Sequence, residues 1–193
     1  MKDFIQMNFN PLDIQGLTTF IGMFQVSEES VTQCKSLLKI MNPSPGKTGT
    51  GIDKKKKDSL DLTMVPNYTL KIQKEVEECL DIYIHYFNLE THIPRLGMTS
   101  HFNIQQYPLM GAYHSIHADR GFNHSNMFRE LVWMTYLNDV SSGGETEFMF
   151  YKLKIQPKQG LTLIWPAGWT HLHRGLPSLT TEKMIATGWF SPL

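Results

Sequence analysis

Cysteine is scarce in this chain. Cys34 and Cys79 are the only two, both in helix-like stretches, and two isolated thiols read as small buried hydrophobes rather than a disulfide. That fits a reducing, cytoplasmic setting. An excess of either charge is also missing: Lys+Arg and Asp+Glu number 18 each, for a formal net charge of zero. No global field then draws the protein to nucleic acid or an anionic membrane, and partners must be chosen locally. There is no apolar run of the roughly 18 residues that a membrane span needs, and the opening MKDFIQMNFNPLD lacks the basic-then-apolar layout of a secretory signal. A soluble protein is expected. What remains is an ordinary globular composition, 41% hydrophobic and 19% charged, in 193 residues, which suits one domain over 1–193.

Two helices are expected in the first third. Ser27 precedes Glu28-Glu29-Ser30, and Val31, Cys34, Leu37, Leu38 and Met41 follow at helical spacing, so Ser27 is a predicted N-cap and the helix should stop at Asn42-Pro43. From Pro43 to Asp58 the stretch PSPGKTGTGIDKKKKD has no apolar periodicity and predicts a long mobile loop, with Lys54 to Lys57 as its solvated tip. After Pro66-Asn67-Tyr68, Thr69 is the predicted cap of a second helix with Ile72, Val76, Leu80, Ile84 and Phe87 on one stripe. Beyond Pro94 the pattern turns to short alternating runs of aromatic and β-branched residues, as an antiparallel sandwich or barrel requires. Predicted strands are His101 to Tyr107, Ala112 to Ala118, Leu131 to Leu137, Glu147 to Tyr151, Gly160 to Trp165, Thr170 to Arg174 and Lys183 to Phe190. Residues 1–95 would then be a helical and loop flank, and 96–193 the β core.

His117-Ala118-Asp119 is the most informative triplet. Side chains on a strand alternate faces with period two, so His117 and Asp119 would point the same way and grip one metal ion, with a third ligand from elsewhere. Two His and one carboxylate on one face of a metal leave the opposite positions open, as a non-haem Fe(II) oxygenase requires. Lys183 gives a second clue. On its strand it shares a face with Ile185, Thr187 and Trp189, so it faces the interior unless the strand is flipped or the side chain snorkels to solvent. An interior ammonium needs an anion, either a fixed carboxylate of the protein or a carboxylate ligand. By the same parity Tyr136 shares a face with Val132 and Met134.

Three stretches occur in order: YPLMGAYHSIHAD (107–119), YLNDVSSGGETEF (136–148), and PAGWTHLHRGLP followed by EKMIATGWF (166–190). Together they resemble the catalytic domain of the Fe(II)/2-oxoglutarate-dependent dioxygenases, in the prolyl 4-hydroxylase-like branch that includes small bacterial and phage forms. The resemblance implies an α+β fold: a double-stranded β-helix, the jelly roll of the cupins, with N-terminal flanking helices. It implies that His117, Asp119 and His173 are the iron ligands and catalytic residues. It further implies that Lys183, ten positions after His173, pairs with the distal carboxylate of 2-oxoglutarate together with Tyr136, and that Tyr107, Thr187 and Trp189 line the cosubstrate pocket. Fe(II), 2-oxoglutarate and O2 are the implied cofactors, with ascorbate as reductant. The implied reaction is hydroxylation of a C–H bond of a prolyl residue in a peptide or protein, with a free amino acid or other small molecule as the alternative substrate. Neither nucleic acid nor a membrane is an implied partner.

Several points stay open in the residues themselves. Tyr113 stands four positions before His117, one more than the common prolyl hydroxylase pattern, which leaves a bulge or His114 as a competing ligand. His171 would share a face with His173 on a regular strand, although Gly175, Pro177 and the spacing to Lys183 favour His173. The resemblance to the hydroxylases also gives the segment Gly46 to Ser59 a second reading as a substrate lid, with Arg120, His124, Trp169 and Arg174 around the mouth. A zinc hydrolase on the same three ligands would have no use for a buried Lys183, and a non-catalytic binding module none for an intact triad.

Overall fold

Period-two patterning on two opposite faces decides the architecture. The computed structural model describes residues 10–14, 17–49, 51–66, 70–124 and 126–193. Strands β1 (Asn10–Ile14) and β2 (Leu17–Gln25) lead into helix α1 (Glu28–Ile40), then β3 (Ser44–Pro45), β4 (Leu60–Met64) and helix α2 (Lys71–Tyr86). Eight more strands follow: β5 (Leu96–Met98), β6 (Phe102–Tyr107), β7 (Leu131–Tyr136), β8 (Thr146–Phe148), β9 (Leu153–Ile155), β10 (Leu161–Pro166), β11 (His173–Gly175) and β12 (Lys183–Pro192). A large antiparallel sheet runs in the order β1-β2-β10-β7-β12-β6-β4-β3, with β5 also on β12, and a small one runs β11-β8-β9. This is the expected jelly-roll core with helices on one side. Among the described residues, no helix is long and apolar enough to cross a membrane.

Each long strand of the large sheet feeds two cores. On one face Leu131 and Trp133 of β7, Ala186 and Phe190 of β12, and Phe102 and Ile104 of β6 pack with Val31 and Cys34 of α1 and Ile72, Val76 and Cys79 of α2. On the other face Val132, Met134 and Tyr136 join Ile185 and Trp189, and Phe148 and Ile155 from the small sheet close over them. The alternation predicted for β7 and β12 is thus the alternation observed. Helix α1 begins where expected, the Ser27 side chain accepting the Ser30 N–H at 3.3 Å. Helix α2 starts after Leu70 without a side-chain cap, and Thr69 lies outside the described residues.

Four expectations need correction. The first third also supplies strands: β2 pairs with β10 and β4 with β6, so the flank extends the sheet. The stretch 43–58 is tied down, with Ser44 paired to Asp61, the Gly46 N–H on the Ser59 carbonyl (2.8 Å) and the Asp58 N–H on the Ala112 carbonyl (2.9 Å). No strand forms over 112–118, where Tyr113 and His117 make only isolated bridges to Lys57 and His173. Residues 169–171 turn as a 3₁₀ helix, so β11 begins only at His173.

Candidate functional site

Between the two sheets lies a cavity of about 910 Å³. His117, Asp119 and His173 meet in its wall, with one ligand atom from each lying within 4.8 Å of the others. Backbone bonding, rather than strand parity, sets them there. His117 and His173 exchange both N–H···O bonds at 3.0 Å, and the Asp119 N–H reaches the Ala167 carbonyl (3.2 Å) just past the end of β10. Each imidazole is oriented by its own chain. His117 Nδ1 lies 2.9 Å from the Ser115 carbonyl, and His173 Nδ1 lies 2.9 Å from the His171 carbonyl. A proton on Nδ1 satisfies both contacts, which turns each Nε2 lone pair inward. Burial, reinforced by the neighbouring His173, holds the His117 pKa well below the ordinary imidazole value, so this ring is neutral at pH 7 and ready to ligate.

Asp119 is held at one oxygen only. Oδ1 accepts the Trp189 indole N–H at 2.8 Å, whereas Oδ2 is buried without a hydrogen-bond partner, 3.4 Å from His173 Nε2. A buried carboxylate oxygen with no donor is costly. An orphan oxygen beside two inward Nε2 atoms is the donor set of a facial metal site, and these residues fit Fe(II).

The second half of the site is cationic. Lys183 is 3% exposed, stands opposite Tyr107 in the β12–β6 pairing, and has its ammonium 5.1 Å over the Tyr107 ring. Its hydrogen bond is to the Gly144 carbonyl at 3.0 Å. Burial pushes its pKa down to about 8, against the pull of Glu145. Gly175 leaves room for it, since a Cβ there would come within 3.2 Å of the ammonium. A buried ammonium that, among the described residues, contacts a carbonyl but no carboxylate fits an incoming dicarboxylate.

Lys183, Thr187, Trp189 and Tyr107 all line the cavity. The Thr187 hydroxyl donates to the Trp133 carbonyl at 2.9 Å and the Tyr107 phenol to Gln105 Oε1 at 2.7 Å. Tyr136 stands one layer back: it is fully buried, and its phenol donates to Thr146 Oγ1 (2.6 Å) and approaches the Ile155 carbonyl (3.2 Å). Thr146, not Tyr136, reaches the cavity wall. The doubled histidines also separate. His171 has Nε2 on the Thr19 carbonyl (2.8 Å) and Nδ1 beside Thr170 Oγ1 (2.9 Å), so neither nitrogen is free for a metal. His114 is outside the ligand cluster. Among the rim residues, Arg120 pairs with Glu130 and Arg174 with Glu147, while Trp169 is 74% exposed and His124 is exposed.

Three cavity residues take parts that the sequence did not assign to them. Arg129 lays its guanidinium 3.4 Å over the Trp189 ring; a charge at the mouth of the apolar run Leu131 to Tyr136 was the available signal. Tyr113 stacks on His117 at 3.8 Å and 16°, and its aromatic ring so close to a ligand was the hint. Lys57, expected at the solvated tip of the loop, is instead 5% exposed because its ammonium turns inward onto Asp61.

Residues 102–191 match the family model of the 2OG-Fe(II) oxygenase superfamily. That match takes in a little under half of the chain and shows a likeness to the family. The chain is 32% identical over 146 residues to probable prolyl 4-hydroxylase 9 of Arabidopsis thaliana, a match covering 62% of this chain and 50% of the plant protein. It is 28% identical over 95 residues to prolyl 4-hydroxylase subunit alpha-1 of Gallus gallus, covering 42% and 18% of the two chains. The chain therefore spans half or less of the length of these curated relatives. Among solved structures, the chain is similar to the viral collagen prolyl hydroxylase of Paramecium bursaria Chlorella virus-1 in its 2OG complex, with TM-score 0.65, 23% identity and coverage of 90% and 97%. It is also similar to a Trichoplax adhaerens prolyl hydroxylase in complex with a hypoxia inducible factor peptide, with TM-score 0.69, 16% identity and coverage of 89% and 83%. These structural likenesses speak for the fold.

Proposed function

We propose that this protein is a 2-oxoglutarate-dependent dioxygenase that hydroxylates a prolyl residue within a peptide or protein. The observation that carries it is the pairing, in one cavity and among the described residues, of an orphan Asp119 Oδ2 between two histidines with a buried Lys183 that touches no carboxylate. His117, Asp119 and His173 would hold Fe(II), and Lys183, across from Tyr107, would hold the distal carboxylate of 2-oxoglutarate. When bound, Fe(II) supplies with 2-oxoglutarate and dioxygen the oxidation that replaces a C–H hydrogen by hydroxyl, leaving succinate and carbon dioxide. The chain's own part is to orient the acid, keep the pocket dry and leave one side of the metal site open. Two buried cysteine thiols, Cys34 and Cys79, suit a cytoplasmic setting.

A chain substrate is favoured over a free amino acid by the size and lining of the cleft. Its volume of about 910 Å³ lies near the top of the range of roughly 300–1,000 Å³ for small-ligand sites, and a small diacid fills only part of it. The outer wall presents Thr63, Asn103, Asn123 and Asn126, side chains that both donate to and accept from a peptide backbone. Incubation of a proline-containing peptide library with Fe(II), 2-oxoglutarate and air, read by mass spectrometry, tests this. One added oxygen on a prolyl residue is expected; turnover of free amino acids with no peptide product would remove the peptide reading.

Trp189 offers a finer check on the metal site. Trp189→Phe leaves an aromatic ring, a smaller one, for Arg129 to lie over but deletes the N–H to Asp119 Oδ1. Metal affinity should fall by about 10- to 100-fold, as outer-shell losses do, in a Mn(II) titration. Unchanged affinity would mean that the indole plays no part in holding the carboxylate.

A further inference from the structure

The run Lys54 to Lys57 divides at its last member. Lys54 and Lys56 pair with Asp58 and Asp53 at 3.4 and 3.9 Å near the surface, but Lys57 turns inward and places its ammonium 2.5 Å from Asp61 Oδ2. Asp61 is a hub. It also accepts the Ser59 hydroxyl at 2.7 Å and the Gln105 amide N–H at 3.3 Å, and Gln105 Oε1 in turn takes the Tyr107 phenol. From Lys57 a second path leads to the metal wall: its ammonium lies 5.5 Å over the ring of Tyr113, which stacks on His117. The backbone follows the same route, with the His114 and Ser115 N–H groups on the Lys56 carbonyl. Ser44, Lys47, Thr48 and Gly49 of this segment form the outer wall of the cavity. Gly46 makes the fit possible, because a Cβ there would lie 2.2 Å from Ser59 Oγ.

A buried ion pair is a poor source of stability but a good device for fixing register, and losing one partner leaves an uncompensated charge. We propose that Lys57 and Asp61 are positioning residues whose ion pair latches residues 44–49 over the cavity, transmitting their seating to His117 through Tyr113 and to Tyr107 through Gln105. Only the consequence for catalysis rests on the oxygenase reading; the latch itself does not.

Hydrogen exchange on the ligand-free protein tests the latch without any turnover. In Lys57→Met, amides at 46, 58 and 114–115 should exchange about tenfold faster or more while β7 and β10 keep their protection, and Lys57→Arg should restore the slow rates. Gly46→Ala unseats the segment with both charges intact and should give the same local pattern. With Mn(II) present, the dissociation constant for 2-oxoglutarate should rise about fivefold in Lys57→Met and recover in Lys57→Arg, a change that general loosening would not produce selectively. In the peptide assay above, KM should rise about tenfold with kcat within about twofold. Unchanged exchange in both Lys57→Met and Gly46→Ala, or acceleration spread evenly over β7 and β10, would overturn the latch. If no peptide is turned over, hydrogen exchange still decides it.

Discussion

Asp119→Asn is expected to abolish metal binding while leaving the fold intact. The asparagine keeps a carbonyl oxygen at the position of Oδ1, so the Trp189 N–H at 2.8 Å stays satisfied. At the other position an amide N–H replaces the orphan Oδ2 and faces His173 Nε2, which lies 3.4 Å away. The lost charge is one that the metal-free protein buries with a donor at Oδ1 alone, so the variant should be at least as stable as the parent when no metal is present. Binding is another matter. A ligand that occupies the folded state alone at a hundred times its dissociation constant stabilises by about 2.7 kcal/mol, which for a domain of this size is a rise of roughly 5–10 °C in Tm. The parent should show that rise with Mn(II), and Asp119→Asn should show none. His114→Ala, by contrast, should keep it, because His114 lies outside the ligand cluster. Turnover should disappear with the shift. A metal-induced rise in Asp119→Asn equal to the parent's would remove Asp119 from the site.

The parts of this site that were legible in the sequence are those where local geometry leaves little choice. Lys183, Ile185, Thr187 and Trp189 line the cavity together because a strand has only two faces, and β12 is regular over that stretch. His117 and Asp119 were found for a reason that proved wrong in detail. Their shared direction comes from two exchanged bonds to His173 and one to Ala167, not from a strand, and residues two apart in an extended chain converge either way. Tyr136 was placed on the correct face, but a face does not tell which hydroxyl wins a phenol, and Thr146 is nearer. His171 could not be separated from His173 without knowing that β2 runs past it and offers the Thr19 carbonyl. Strand β2 itself was missed because LTTFIGMFQ lacks clean alternation and is held by its long-range pairing to β10. Lys57 was masked by its neighbours; the polar alternation Lys57, Ser59, Asp61 leading into β4 was the one local sign that its side chain turns the other way.

Lys183→Met should make the ligand-free protein more stable and its cosubstrate binding far weaker. Methionine matches the length of the lysine stem and fills the same buried volume, but removes an ammonium that burial disfavours. Depression of the lysine pKa from 10.5 to about 8 corresponds to about 3 kcal/mol, and loss of the bond to the Gly144 carbonyl offsets about 1 kcal/mol or more of that, so a net gain of about 1–2 kcal/mol is expected at pH 7. The pH dependence gives the sign independently. Between about 8 and 10.5 the unfolded parent still binds this proton while the folded parent has lost it, so the parent gains stability as pH rises through that window. The advantage of Lys183→Met should therefore be complete below about pH 8, shrink across the window and vanish above it, measured by urea unfolding at each pH. Binding moves the other way. Deleting one partner of a buried, hydrogen-bonded charge pair costs about 2–5 kcal/mol, which is about thirtyfold or more in affinity, so 2-oxoglutarate titrated in the presence of Mn(II) should bind Lys183→Met at least that much more weakly, while the Mn(II) affinity itself is retained. A variant that is both less stable at pH 7 and unaltered in 2-oxoglutarate binding would show that Lys183 is a structural residue. The expected pairing of outcomes follows from a single fact of the fold: β12 delivers a cation opposite Tyr107, where the protein supplies a carbonyl but no carboxylate, so the folded chain is destabilised until an anion arrives.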